Sequence, residues 1–233
     1  MKLETQRIYA MLPSEAGATI FSGISFADFV ECTPVPIENI LLLKGDYWGE
    51  KSWNKFELLE GQEQIAKLMH ENIYRYGDFC FVDYANHITL DELSDDEIAE
   101  LLYFAHMLKP LKSPFFEALQ NSFFYFAHDD GWYCKLYCKS PDIPMSVLVN
   151  RLQKSVWKTT SNNHCLLPAS LVQEVHKLSI GGVLIELETS PPPADTIATI
   201  CIYDVGKYTN MDTLFSNLEC IKRDSAKQTF ALC

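Results

Sequence analysis

The segment Ser122 to Lys139, SFFYFAHDDGWYCKLYCK, contains two runs of strand-forming residues separated by a short polar turn. Aromatic and apolar residues fill the first run, and apolar residues alternate with polar ones in the second. The Asp130-Gly131 step between the runs favours a tight turn, because glycine adopts positive φ angles without steric strain. The segment therefore predicts an antiparallel β-hairpin, and such pairing is the basis of the predicted fold.

The second strand of this hairpin has two chemically different faces, because successive side chains of a strand point to opposite sides. One face is predicted to be buried and carries Trp132, Cys134, Leu136 and Cys138. The other is predicted to be wet or at the rim of the core, and it carries Tyr133, Lys135, Tyr137 and Lys139. The hairpin is therefore expected to be covered on one side only.

Segments before the hairpin predict further strands and helices. Ser94 and Glu97 form a capping box for a helix over residues 95–109, which Pro110 follows. Apolar residues recur with helical spacing over residues 62–76. Strands are predicted at 8–12, 18–24, 40–43, 53–59 and 79–84, with a short helical turn at 26–30.

Segments after the hairpin continue the same alternation. Helices are predicted at 145–157, 168–178 and 212–221, and strands at 183–188 and 196–203. A two-strand segment precedes a helix three times in outline, but no sequence identity supports a true repeat. The predicted fold class is α+β, with antiparallel β-hairpins and helices packed mainly on one side in ββα-type units.

A polar stretch at residues 159–163 is the best candidate for a domain boundary. It predicts a main α+β domain over residues 1–160 and a C-terminal α+β subdomain over residues 161–233. One compact domain and two closely packed subdomains both fit this pattern.

Composition restricts the class of protein. The chain has 233 residues, 48% of them hydrophobic, which is typical of a globular protein rather than a disordered one. Its formal net charge of −12 argues against a broad phosphate-binding surface, so nucleic acid is not expected as a partner. The sequence has no signal-peptide pattern and no run of membrane-spanning length, which predicts a cytoplasmic protein without a membrane partner.

The sequence predicts no cofactor and no metal. The eight cysteines include no CxxC pair and are expected to be reduced thiols that pack as small hydrophobic residues. The glycine-rich motifs that bind nucleotide phosphates are absent, and so is the GxSxG motif of serine hydrolases.

The hairpin tip has two interpretations. His128, Asp129 and Asp130 are the densest cluster of polar functional groups, so His128 is a candidate general base, or a metal ligand together with the two carboxylates. The structural interpretation is favoured, because Asp-Asp-Gly is the composition that a tight turn requires.

A second polar group combines Cys80, Asp83, His87 and His106. A nucleophilic Cys80 with a histidine base is conceivable. However, Cys80 lies between Phe79 and Phe81, and an apolar environment raises the pKa of a thiol and makes it inert. No catalytic residue is therefore assigned with this set.

Aromatic residues give the better indication of function. Tyr47, Trp48, Trp132, Tyr133 and Tyr137 lie in turns or on the face predicted to be wet, and tyrosine and tryptophan are enriched at binding hot spots. The sequence therefore favours a non-catalytic binding or regulatory protein that acts on a protein partner through an acidic, aromatic-bearing surface. An immunity-like or neutralising role is one form of this function.

Two other hypotheses remain open. One is a small hydrolase or metal-dependent enzyme centred on His128, Asp129 and Asp130. The other is a structural subunit of a larger assembly, for which self-association into a homo-oligomer and a large apolar patch would be the signs.

Overall fold

The computed structural model describes residues 5–13, 17–44, 55–70, 79–85, 92–128, 132–160, 162, 164–189 and 198–232. Within these residues the chain is α+β with antiparallel strand pairing, which confirms the predicted fold class. Among them, no helix has both the length and the apolar character needed to span a membrane.

The helices and strands of the described residues follow one another in this order: β1 (Gln6–Met11), β2 (Thr19–Ser22), α1 (Phe26–Cys32), β3 (Asn39–Lys44), β4 (Lys55–Glu60), α2 (Gly61–His70), β5 (Phe79–Asp83), α3 (Asp95–Met107), β6 (Phe123–His128), β7 (Tyr133–Cys138), α4 (Asp142–Thr160), α5 (Ala169–Ser179), β8 (Val183–Thr189), β9 (Ala198–Asp204), α6 (Met211–Ser216), α7 (Leu218–Asp224) and β10 (Lys227–Leu232).

Contacts between residues divide the chain into two compact units. The first unit joins residues 1–24 to residues 144–233, and the second comprises residues 25–143. The boundary predicted at residues 159–163 lies inside the first unit, whose strand β8 pairs with β1. Independent folding of residues 161–233 stays a prediction.

The two units share one strand order. The sheet of the first unit runs β10-β9-β8-β1-β2, and that of the second runs β7-β6-β5-β3-β4. When the strands of each unit are numbered along the chain, both orders become 5-4-3-1-2. In the second unit α2 lies between the second strand and the third, and in the first unit α4 and α5 precede the third strand. The recurring element is therefore this five-strand order rather than the ββα outline read from the sequence.

Several predicted elements are confirmed in detail. The strands β6 and β7 pair antiparallel with His128 opposite Tyr133, and β3 pairs antiparallel with β4. Ser94 accepts a hydrogen bond from the backbone N–H of Glu97, and the Glu97 carboxylate accepts one from the backbone N–H of Ser94, as the capping box predicts. The last strand, β10, was not predicted.

Aromatic side chains form the core of the second unit. On one face of its sheet, Phe26 and Phe29 of α1 contact Phe81, Phe123 and Tyr125, and α2 contacts α1. On the other face, Phe104 of α3 contacts Phe124 and Phe126 with ring centroids 4.4 and 4.8 Å apart. Five of the six β6 residues are buried for this reason.

Candidate functional sites

The hairpin tip is the first candidate site. Its two described ends are His128 and Tyr133, whose rings stack with centroids 4.5 Å apart and planes 2° from parallel. Asp129, Asp130 and Gly131 lie outside the described residues, so the choice between a turn and a catalytic or metal site remains a prediction. Stacking holds the His128 ring flat against the face of Tyr133.

Tyr137 does not lie on a wet surface, and the prediction that its face of β7 is exposed is wrong at this position. Its side chain is only 9% exposed and packs against Phe104 at a centroid distance of 5.4 Å. Helix α3 covers this face of the strand, and burial raises the pKa of the Tyr137 hydroxyl to about 12. Strand alternation identifies two faces but does not say which face a distant helix covers.

Trp132 is more exposed than the sequence predicts. Its side chain was assigned to the buried face, but it is 49% exposed at the residue before β7. Tyr133 is half-buried beside His128, while Tyr47 and Trp48 lie outside the described residues. Trp132 and Tyr133 are therefore the predicted binding residues that the structure places at a surface.

Lys135 joins the end of α3 to β7. Its Nζ donates a hydrogen bond to the Leu108 carbonyl at 2.6 Å, and Leu108 ends the helix in the left-handed conformation. The helix end leaves carbonyl groups without intrahelical partners, and a lysine satisfies one of them here. Burial and the nearby charge of Lys109 lower the pKa of Lys135.

Exposed apolar side chains occur close in the chain to the two residues of this contact. Met107 precedes Leu108 and is 44% exposed, and Leu111 follows three residues later and is 62% exposed. Trp132 comes three residues before Lys135, which is about 10 Å along a strand. We call Met107, Leu111, His128, Trp132 and Tyr133 the hairpin surface.

The group of Cys80, Asp83, His87 and His106 does not form a nucleophilic pair in the described residues. Cys80 is buried, and burial raises the pKa of its thiol well above the usual value. His106 is exposed on α3, and His87 lies outside the described residues.

Asp83 has a structural role at the end of β5. Its carboxylate accepts hydrogen bonds from the backbone N–H groups of Ser122, at 2.9 Å, and Phe123, at 2.8 Å. These bonds fix the start of β6 beside the end of β5. Burial raises the pKa of Asp83 to about 6, although the backbone hydrogen bonds act in the other direction.

A second candidate site, in the first unit, was missed by the sequence analysis. Glu186 lies in the middle of β8 with its side chain only 1% exposed. Its Oε1 accepts a hydrogen bond from Nε of Arg7 at 2.7 Å, and its Oε2 lies 2.8 Å from Nζ of Lys222. The Lys222 ammonium also lies 5.2 Å from the centre of the Tyr203 ring. We call Arg7, Glu186, Tyr203 and Lys222 the Glu186 cluster.

Strand register explains why Arg7 lies beside Glu186. Arg7 pairs with Glu186 across β1 and β8, Glu186 pairs with Cys201 across β8 and β9, and Cys201 pairs with Thr229 of β10. Arg7, Glu186, Cys201 and Thr229 therefore form one row across the sheet. Tyr203 follows two residues after Cys201 on the same face of β9, and Lys222 reaches Glu186 from α7. The sequence feature that could have predicted this site is Glu186 itself, because an acidic residue among the buried residues of an apolar strand needs a partner of opposite charge.

Electrostatics favours the ionised forms of Glu186 and Lys222. Burial would raise the pKa of the Glu186 carboxyl, but the hydrogen bonds and charges of Lys222 and Arg7 outweigh it and hold the pKa below its usual value. Burial would likewise lower the pKa of Lys222, but Glu186 raises it. A buried carboxylate beside an aromatic ring is thus an ammonium-binding arrangement.

In the described part of the chain, no group of three or more His, Cys, Asp or Glu side chains is arranged to hold a metal ion.

No protein-family model, no curated protein and no solved structure matches the chain. Function is therefore inferred from the two sites.

Proposed function

We propose that this protein is a non-catalytic binding or regulatory protein that acts on a protein partner through the hairpin surface. The observation that carries the proposal is the exposure of three apolar side chains: Met107 and Leu111, which flank Leu108 in the chain, and Trp132, which lies at the start of β7. Tryptophan is the residue most enriched in binding hot spots, and methionine is enriched at interfaces. A neutralising or immunity-like role is one form of this function.

Rigid support favours a binding role for this surface. Phe104 packs against Tyr137, and Lys135 binds the carbonyl at the end of α3, so the helix end and the strand are fixed to one another. A surface that is ordered before binding loses less conformational entropy when a partner docks. The net charge of −12 favours a partner with a basic surface, because opposite charge accelerates encounter.

We propose that the protein acts in the cytoplasm. The support is the cysteine chemistry: seven cysteines of the described residues are free thiols, and five of them are buried. Free thiols are typical of reducing compartments. Mass measurement of the protein from its native cells, with and without alkylation, tests this assignment, since disulfide-linked cysteines would contradict it.

Site-specific photo-crosslinking tests the binding role. A photoreactive amino acid at position 132 is expected to capture a defined protein in cells, whereas the same amino acid at Leu166 is not. Leu166 is a suitable control because it is 68% exposed and belongs to the first unit. The same captured proteins at both positions, or none at position 132, would contradict the proposal.

The captured partner then permits a quantitative test. Trp132→Ala is expected to weaken its binding by about 30-fold, which corresponds to about 2 kcal/mol for a hot-spot residue. Leu166→Ala should leave the affinity unchanged. Native mass spectrometry separates the alternatives: a stoichiometric metal or ligand that His128→Ala removes would favour the enzyme hypothesis, and a bare dimer would favour self-association.

A further inference from the structure

The Glu186 cluster has the chemistry of a lysine-recognition site whose ligand is supplied by the chain itself. One carboxylate oxygen is fixed by Arg7, and the other faces the Lys222 ammonium. The Tyr203 ring, which is only 4% exposed, contributes a second favourable surface for the cation. A carboxylate and an aromatic face together select a primary alkylammonium group.

We propose that Glu186 and Tyr203 form a binding site for a primary alkylammonium group, and that Lys222 of α7 occupies this site until an external ligand displaces it. Helix α7 then acts as an autoinhibitory strap. The site lies in the first unit and uses none of the hairpin-surface residues, so the two proposals can fail separately.

The attachment of α7 is weak enough for displacement. The helix has seven residues, Leu218 is its one buried residue, and its first turn has no side-chain cap. A helix of this length is not stable on its own in water, so its position depends on tertiary contacts. By contrast, α3 of the second unit has 13 residues and is anchored through the fully buried Phe104.

The site and the overall charge favour the same ligand. The chain carries a formal charge of −12, which attracts cationic molecules over distances near the Debye length. Displacement conserves charge at the site, because one ammonium group replaces another beside Glu186. Two sources present this group in a flexible form, namely a lysine side chain of a basic protein and a free polyamine.

Removal of Lys222, the ammonium group that contacts Glu186, tests the proposal, and Lys227, which lies 5.5 Å from the centre of the Tyr203 ring, is left in place. The probes are a short lysine-containing peptide, the same peptide with its lysine acetylated, and spermidine, each titrated calorimetrically. Lys222→Met keeps the apolar stem and is expected to bind the lysine peptide or spermidine at least about tenfold more tightly than the wild type. Lys177→Met is the matched control, because Lys177 forms an exposed ion pair with Glu174 in the same unit.

The variants give decisive outcomes. Glu186→Gln combined with Lys222→Met should abolish the gain, and the acetylated peptide should not bind. Equal affinities of wild type and Lys222→Met, or tight binding by the double variant, would overturn the proposal. The tighter ligand of the two, peptide or spermidine, identifies the source of the ammonium group.

Hydrogen exchange of the wild-type protein provides a test that does not depend on variants. Saturating lysine peptide or spermidine is expected to accelerate amide exchange in residues 218–224 and to leave α5 unchanged. Unchanged exchange in α7 at saturation would show that the strap is not displaced. That result also overturns the proposal, whatever the behaviour of the hairpin surface.

Discussion

Phe104 of α3 anchors the helix on which the hairpin surface depends, and Phe104→Ala tests this role. The side chain is fully buried and contacts Phe124, Phe126 and Tyr137. Replacement of a buried phenylalanine by alanine lowers the free energy of unfolding by about 3–5 kcal/mol. Because three aromatic contacts are lost together, we expect about 4–5 kcal/mol, near the upper end of that range.

Urea unfolding followed by near-ultraviolet circular dichroism measures this change. Met107→Ala in the same helix is the control, because Met107 is 44% exposed and its removal should cost less than about 1 kcal/mol. A second measurement uses Tyr137, whose hydroxyl pKa is raised to about 12 by burial. Loss of the Phe104 ring removes part of the cover that buries Tyr137 and should lower this pKa towards its usual value, seen as a difference between the ultraviolet titrations of Phe104→Ala and the wild type.

Two results would contradict this role of Phe104. A loss of stability in Phe104→Ala no larger than that in Met107→Ala would show that α3 is not anchored through this ring. An unchanged pKa of Tyr137 would show that Phe104 does not shield it from water.

Three further predictions concern individual residues. Folding raises the pKa of Asp83 from 3.8 to about 6, so its contribution to stability is present below pH 3.8 and is lost as the pH rises through 6. Between pH 4 and pH 8, the free energy of unfolding of the wild type should therefore fall by at most about 3 kcal/mol relative to that of Asp83→Asn. A difference between the two free energies that does not change with pH would contradict this. Glu186→Gln should lower the free energy of unfolding by about 3 kcal/mol, because it leaves Arg7 and Lys222 without their buried carboxylate, whereas Glu188→Gln in the same strand should have little effect in the same urea titration. Gly182→Ala places a methyl group against the Gly206 carbonyl at a φ of +102°, so it should lower the melting temperature more than Gly61→Ala, where φ is +77° and no atom lies nearby; equal shifts would exclude the steric explanation.

Local sequence patterns predicted much of the secondary structure. The capping box of Ser94 and Glu97 and the hairpin of β6 and β7 depend on residues that are close in the chain, so their patterns are complete within a short window. Strand β10 was missed because its pairing with β9 depends on residues across α6 and α7. The same limit applies to the shared five-strand order of the two units, which no local window contains.

The sequence by itself determined the α+β class, the antiparallel hairpins, most helix positions and the excess of acidic charge, because these follow from local propensity, alternation and composition. Only the tertiary structure decided which side chains are exposed. Helix α3 covers Tyr137 and leaves Trp132 exposed, although alternation predicted the reverse. The tertiary structure also forms the Glu186 cluster, in which Arg7 of β1, Glu186 of β8 and Lys222 of α7 come together. The contact between Arg7 and Glu186 joins residues 179 positions apart, and its energy depends on burial, which no short segment specifies.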